Sequence, residues 1–315
     1  MSVHPQAQVL LDARKKQKFV PDDNNIAQFR AVADQRSRDS NSGQHIASVE
    51  DIKIPGGAGA IKARVYNPEP QASAPLPVLI YLHGGGWVMC SIETHDALCR
   101  DLAKQSNIIV VSVDYRLAPE HKFPAGLEDC YAALLWVSQN AKQLNADSNR
   151  LAIGGDSAGG NLTTATLLLA HERGSVPVAF QLLLYPSCAV RDTESRRLFL
   201  NGYGLDTELK TYFLNSYTRD PVEDGKNPLV SPLLADDLSF MPPTYLMTAE
   251  CDPLRDEGKM LADHLVKDGV SCTYKCYEGM IHGFCTYAYM MPVDAGDQAV
   301  KDCAAQLKKY LHGIK

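Results

Sequence analysis

The 315-residue chain lacks any apolar stretch approaching the roughly 18 to 20 residues that a membrane-spanning helix needs, so an α-helical membrane protein is not expected. It also lacks a positively charged leader joined to an apolar core. The opening MSVHPQAQVLLDARKK reads as amphipathic, so no secretory signal is expected and a cytoplasmic location is. Positive charge is in short supply: 31 Lys and Arg against 37 Asp and Glu leave a formal net charge of −6, which argues against nucleic acid or an anionic membrane as partner. The one basic run, Arg14-Lys15-Lys16-Gln17-Lys18, reads as a solvated helix face. Nine cysteines are present, but an odd number at scattered positions is no secreted disulfide framework. Cys272 and Cys276 have neither a CxxC neighbour nor a Cys/His partner motif. Buried free thiols are therefore expected rather than a zinc site, with no metal and no cofactor. Internal repeats and low-complexity tracts are absent as well, which leaves an ordinary globular composition, 45% apolar and 22% charged.

What the chain does have is alternation. Short β-rich runs at Val49 to Ile54, Ile61 to Tyr66, Val78 to Leu82, Ile108 to Val113, Leu151 to Ile153, Phe180 to Tyr185, Thr244 to Thr248 and Cys272 to Tyr277 read as strands. Helical patterns are expected near 95–106, 126–141, 158–173, 256–269 and 297–312; in the last, Val300, Ala304, Leu307 and Leu311 share one face. Strands alternating with helices argue for a mostly parallel sheet covered on both sides. The first two strands are joined by PGGAGA, with no room for a helix, and so are expected to form an antiparallel hairpin at the sheet edge. Two segments stand outside the alternation. Residues 1–45 read as two amphipathic helices, and residues 188–240 form a long excursion with Phe199, Tyr203, Tyr212, Phe213 and Tyr217 scattered through it. An excursion of that length is commonly functional, and its aromatics read either as a local core or as a lid over an apolar pocket.

The chemistry centres on LAIGGDSAGGN at 151–161. A GxSxG pattern alone arises by chance in roughly one chain in ten of this length. Here it follows a strand and opens a helix, the setting in which a sharp turn presents Ser157 as a nucleophile and the helix N-terminus favours negative charge. Gly155 and Gly159 lack the Cβ atoms that would collide across such a turn. Three consecutive glycines in YLHGGGW, 81–87, suit neither strand nor helix; they either let another backbone pass or free N–H groups to hold the oxyanion of acyl transfer. A serine hydroxyl needs a base. Of nine histidines, His282 in EGMIHGF lies between the last strand and the last helix, where active sites of open sheets gather. His83 is expected to shape the glycine loop, and His95, His121, His171 and His264 to be surface or boundary residues. The carboxylate that orients the imidazole is expected at Asp252, in the turn after the strand Thr244 to Thr248, whereas Asp256 and Glu257 read as helix-capping residues. The chain order Ser157, Asp252, His282 is the one an α/β-hydrolase scaffold imposes.

These residues resemble the hormone-sensitive-lipase-like family of α/β-hydrolase carboxylesterases, through HGGGW at 83–87, VDYRLAPEHKFPA at 113–125, GGDSAGGN at 154–161, DPLRDEG at 252–258 and HGF at 282–284. The resemblance implies an α/β-hydrolase fold: a mostly parallel eight-stranded sheet flanked by helices. It implies core segments 46–187 and 241–315 under a helical cap built from 1–45 and 188–240. It makes Ser157, Asp252 and His282 the triad, and the N–H groups of Gly85, Gly86 and Ala158 the oxyanion donors, with Gly84 a further candidate. It also implies a small ester of short to medium acyl chain as substrate, no metal, and frequent homodimerisation. Trp87, Tyr185, Phe213 and Phe284 are candidate pocket walls, with core packing as the alternative. Three other readings share the scaffold: an amidase, a true lipase on long triglycerides, and a non-catalytic ligand-binding homologue. The last requires loss of the base, and His282 is intact.

Overall fold

The computed structural model describes residues 2–15, 21–40, 43–174, 176–291 and 293–313. Helices α1 (Pro5–Lys15) and α2 (Ile26–Ser40) precede strands β1 (Ser48–Gly56) and β2 (Gly59–Asn67). Strands and helices then alternate: β3 (Leu76–Leu82), α3 (Asp96–Ser106), β4 (Ile109–Asp114), α4 (Ala125–Asn140), β5 (Ala146–Asp156), α5 (Ala158–Arg173) and β6 (Phe180–Leu184). Short helices α6 (Glu194–Leu198), α7 (Thr207–Tyr217) and α8 (Pro221–Asp224) occupy the excursion. Strand β7 (Thr244–Cys251), α9 (Arg255–Lys267), β8 (Cys272–Ile281), α10 (Phe284–Tyr287) and α11 (Asp294–Leu311) complete the chain.

The strands form one eight-stranded sheet in the order β1-β2-β4-β3-β5-β6-β7-β8. The β1–β2 hairpin, with Ile54 opposite Ile61, and its pairing to β4 are antiparallel; every other pairing is parallel. All seven residues of β3 are buried, as a central parallel strand covered on both faces requires. Its side chains alternate between two cores. Val78, Ile80 and Leu82 pack with Leu127 and Leu134 of α4, Leu162 of α5 and Leu261 of α9. Leu79 and Tyr81 pack with Leu98 and Leu102 of α3 and Val300 and Leu307 of α11 on the other side. The α11 stripe is thus the face that the sequence periodicity marks out.

Strand β5 runs further than the expected Leu151 to Ile153. Gly154 and Gly155 stay in the sheet, paired with Tyr81 and Leu82 on one side and with Leu182 and Leu183 on the other. Their lack of apolar side chains hid this, because burial there is by backbone contact. A Cβ on Gly154 would lie 2.7 Å from that of Leu182. The chain steps from β3 to β4 on one side and returns to β5 on the other. The carboxyl ends of β3 and β5 therefore flank the point where strand order reverses, the place where open α/β sheets leave a crevice.

Candidate active site

Ser157 follows β5 and precedes α5, with φ 54° and ψ −117°. A non-glycine residue held there carries strain on the order of 1–3 kcal/mol, so the surroundings must over-determine it. They do: its N–H donates to Leu184 O at 2.9 Å, and its carbonyl accepts from Asn161 N and Ser187 N, both at 3.1 Å. The flanking glycines leave room for the turn, since a Cβ on either Gly155 or Gly159 would fall on the carbonyl oxygen of Leu82 at the end of β3. The Ser157 hydroxyl lies 2.8 Å from His282 Nε2. His282 Nδ1 lies 2.7 Å from Asp252 Oδ2. Asp252 is fully buried, and its other oxygen accepts the Leu254 N–H at 2.7 Å, which fixes the carboxylate in the turn after β7. Glu250 ties this turn to the histidine loop by accepting the Gly279 N–H at 2.7 Å. The structure therefore draws hydroxyl, imidazole and carboxylate into one hydrogen-bonded line.

The glycine loop after β3 lies beside this line. Gly85 and Gly86 take φ +112° and +62°, and a Cβ on Gly86 would strike the ring of Phe213. Ala158 is the first residue of α5, where the helix supplies no partner for its N–H. Gly84 differs from the expectation for it: its N–H donates to Asp156 Oδ1 at 2.9 Å and so is committed away from an oxyanion.

Asp156, immediately before Ser157, was missed as a site residue by sequence reasoning. The same Oδ1 also accepts the Tyr81 hydroxyl at 2.9 Å and lies 3.0 Å from His95 Nε2. Burial by itself would raise its pKa, but the charge and hydrogen bond of His95 and the Tyr81 hydroxyl outweigh that and hold it below the ordinary aspartate value. His95, expected as a surface or boundary residue, is buried in this cluster. Its place in the short turn before α3 resembles a boundary position in the linear pattern, but that turn is folded back under the glycine loop. His83 does shape the loop: its ring stacks on Tyr115 at 4.4 Å, and the Tyr115 hydroxyl donates to its carbonyl at 2.7 Å. Burial, then the neighbouring His95, pushes the His83 imidazole down to about 3, so it is neutral. The 113–125 segment thus acts as a buttress, extended by Arg30 of α2, which donates to Val88 O and Ala118 O at 2.7 Å.

A cavity of about 1050 Å³ opens over Ser157 and His282. Its walls come from the glycine loop, from α1 and α2, and from α7, and include Trp87 and Phe213. Tyr185 and Phe284, the other two candidate pocket residues, do not line it. Tyr185 instead sets its ring edge-on to His282 at 5.1 Å, and Phe284 packs behind Tyr185 with no exposed surface. Both support the imidazole from the core side because they follow strand ends that point beneath it. Asp256 and Glu257 do sit in the first turn of α9, and Asp256 pairs there with Arg255 at 2.9 Å, yet their other partners lie in the excursion. Asp256 accepts the Ser195 N–H, and fully buried Glu257 pairs with Arg196 at 2.7 Å, so both fasten the excursion to the turn that carries Asp252. In the basic run, Lys15 is exposed as expected, whereas the Arg14 guanidinium lies over the Tyr287 ring at 4.9 Å and lines the cavity; Lys16, Gln17 and Lys18 lie outside the described residues. All nine cysteines are free. Cys90 also borders the cavity, but burial and then the nearby Asp156 push its thiol up to about 12, which leaves it a poor nucleophile beside Ser157.

A mostly parallel sheet presenting a hydroxyl, an imidazole and a carboxylate from the carboxyl ends of its strands defines the class of α/β hydrolases. The chain belongs to the alpha/beta hydrolase fold family, whose model matches residues 79–286. It is 41% identical to the carboxylesterase NlhH of Mycobacterium tuberculosis over 257 residues, which make up 80% of this chain and 79% of that protein. Carboxylic ester hydrolase LipN of the same organism is 43% identical over 243 residues, 75% of this chain but only 64% of LipN, just under two thirds of its length. Among solved structures, a hyperthermophilic esterase from Pyrobaculum calidifontis superposes with a TM-score of 0.91 at 40% identity, covering 98% of this chain and 99% of that one.

Proposed function

We propose that the protein is a serine carboxylesterase that hydrolyses small carboxylic esters through an acyl-enzyme. The observation that carries this reading is the continuous line from Ser157 Oγ through His282 to Asp252, with contacts of 2.8 and 2.7 Å, opening into a cavity beside the glycine loop. His282 takes the hydroxyl proton as Ser157 attacks the ester carbonyl, while buried Asp252 holds the imidazole in the productive tautomer and stabilises it when charged. The N–H groups of Gly85, Gly86 and Ala158 receive the developing oxyanion. His282 then protonates the leaving alcohol, and water repeats the sequence on the acyl-enzyme. Residues 1–45 and 188–240 are the cap on this reading, which is supported by their contribution of α1, α2 and α7 to the cavity wall. A volume of about 1050 Å³ accommodates a small ester, and the short to medium acyl chain and the homodimer implied by the family resemblance belong to the same reading. Among the described residues, no helix is long and apolar enough to cross a membrane.

Initial rates on p-nitrophenyl esters from C2 to C16 test the reading directly. The wild type is expected to favour the shorter chains, and Ser157→Ala to lose on the order of 10⁴-fold or more in kcat. Equal turnover by wild type and variant would overturn it.

A further inference from the structure

Lys210 is a titratable group on the cavity wall that the hydrolytic steps leave unused. It shares one face of α7 with Phe213 and Leu214, three and four residues on, and all three line the cavity. Phe213 is the ring that closes against Gly86, so Lys210 stands about 4.5 Å of helix rise from the residue abutting the glycine loop. Its side chain is half-buried, and among the described residues its ammonium has no hydrogen-bond or ion-pair partner. The carboxylates within reach of its charge are committed elsewhere: Glu257 to Arg196 at 2.7 Å and Asp252 to His282 at 2.7 Å. Burial, and then the Arg196 guanidinium, draws its pKa below the ordinary lysine value, which marks a cation short of compensating charge.

The charge of the wall runs against that of the chain. The protein carries −6 overall, yet the cavity is lined by Arg14, Arg36, Arg191, Arg196 and Lys210, five cations. Against these stand three carboxylates, Asp39, Asp156 and Asp192. Asp156 is bound to Tyr81, Gly84 and His95, and Asp192 pairs with Arg197 at 2.6 Å; of the cations, Arg196 pairs with Glu257 and Arg14 donates to the Tyr287 hydroxyl, whereas Lys210 has no such partner among the described residues. A half-buried ammonium without a counter-ion, lining the same cavity as Ser157, is matched by an anion on the substrate.

We propose that Lys210 determines specificity by binding a carboxylate carried by the ester substrate, so that half-esters of dicarboxylic acids or esters of hydroxy acids are preferred over uncharged esters of the same size. The proposal rests on the carboxylesterase reading and names the substrate class within it. The test compares kcat/KM for matched pairs: monomethyl adipate against methyl hexanoate for a carboxylate on the acyl side, and 4-acetoxybenzoate against phenyl acetate for one on the alcohol side. Each pair is measured with wild type, Lys210→Met, Lys210→Glu and Lys210→Arg. The readout is the charged-to-neutral ratio within each variant, so a general loss of activity cancels. In at least one pair the ratio is expected to fall about tenfold in Lys210→Met, further in Lys210→Glu, and to recover in Lys210→Arg. The pair that responds identifies the side of the scissile bond that bears the carboxylate. Ratios that change less than threefold in both pairs would overturn the proposal.

Should the variants fail to fold, the wild type still decides. Its charged-to-neutral ratio is expected to fall several-fold between about 20 and about 500 mM NaCl, and a ratio flat with salt overturns the assignment. Failure of the carboxylesterase reading would look different: neutral esters would be turned over equally by wild type and Ser157→Ala, which would overturn both.

Discussion

At the scale of single residues, the site depends on groups that touch no substrate. Asp156 gathers the Gly84 N–H, the Tyr81 hydroxyl and His95 on one oxygen, and so couples the loop after β3 to the turn that carries Ser157. Burial holds the Tyr81 and Tyr115 phenols well above the ordinary tyrosine value, which keeps both as donors. His83 gives this cluster a pH signature. Its imidazole ionises at about 3 in the folded protein against an ordinary value of 6.5, so between those limits the unfolded chain binds a proton that the folded one refuses. Stability should therefore fall as pH drops from 6.5 toward 3, by about 1.4 kcal/mol per pH unit for this one group. Urea unfolding at several pH values in that window, compared with His83→Gln, checks this. The variant should lose stability with a slope about one proton smaller, and identical slopes would contradict the assignment. Of these residues, Ser157, His282 and Asp252 stand out in the sequence because each sits at a strand end beside turn-forming residues. Tyr81 is hidden within an apolar strand. His95 follows a helical pattern whose first turn gives no sign that it folds beneath the glycine loop.

Secondary-structure elements set how closely those residues can approach. The β3, β5 and α5 junction is the tightest point: a Cβ on Gly159 would fall on the Leu82 carbonyl, within backbone that cannot yield. Gly174, the αL cap of α5 at φ 100°, faces open space instead. Gly159→Ala should therefore cost about 3 kcal/mol or more in unfolding free energy, against about 1 kcal/mol for Gly174→Ala, where only the backbone conformation is strained. Denaturant midpoints of the two variants measure the contrast, and equal losses would mean that the junction is looser than its geometry implies. Apart from β5, the strands and helices of the alternating core were legible to within a few residues because each buries a continuous face, as β3 and α11 do. The helices of 1–45 were legible as helices, but their packing was not. The Arg30 contacts to Val88 and Ala118 join segments some sixty to ninety residues apart, and no local periodicity encodes such pairs. Glu257 shows the same limit. Its place in the first turn of α9 fits a helix end, while its part-buried partner Arg196 arrives from the excursion.

Across the whole molecule, strand order turns these local features into a site. Because β4 and β5 lie on opposite sides of β3, the glycine loop and the Ser157 turn emerge side by side. Strands β7 and β8 then deliver Asp252 and His282 from beyond β6. Segments far apart in the chain meet over that crevice to enclose the cavity, whose shape and cationic wall no linear pattern displays. That this arrangement makes Ser157 a nucleophile that becomes acylated can be tested without choosing a substrate. Incubation with diethyl p-nitrophenyl phosphate, followed by intact-mass measurement and peptide mapping, should show one diethylphosphoryl group on Ser157 and a parallel loss of esterase activity. Ser157→Ala should take up none at the same reagent concentration. Label on a different residue, or esterase activity that survives stoichiometric labelling of Ser157, would contradict the account.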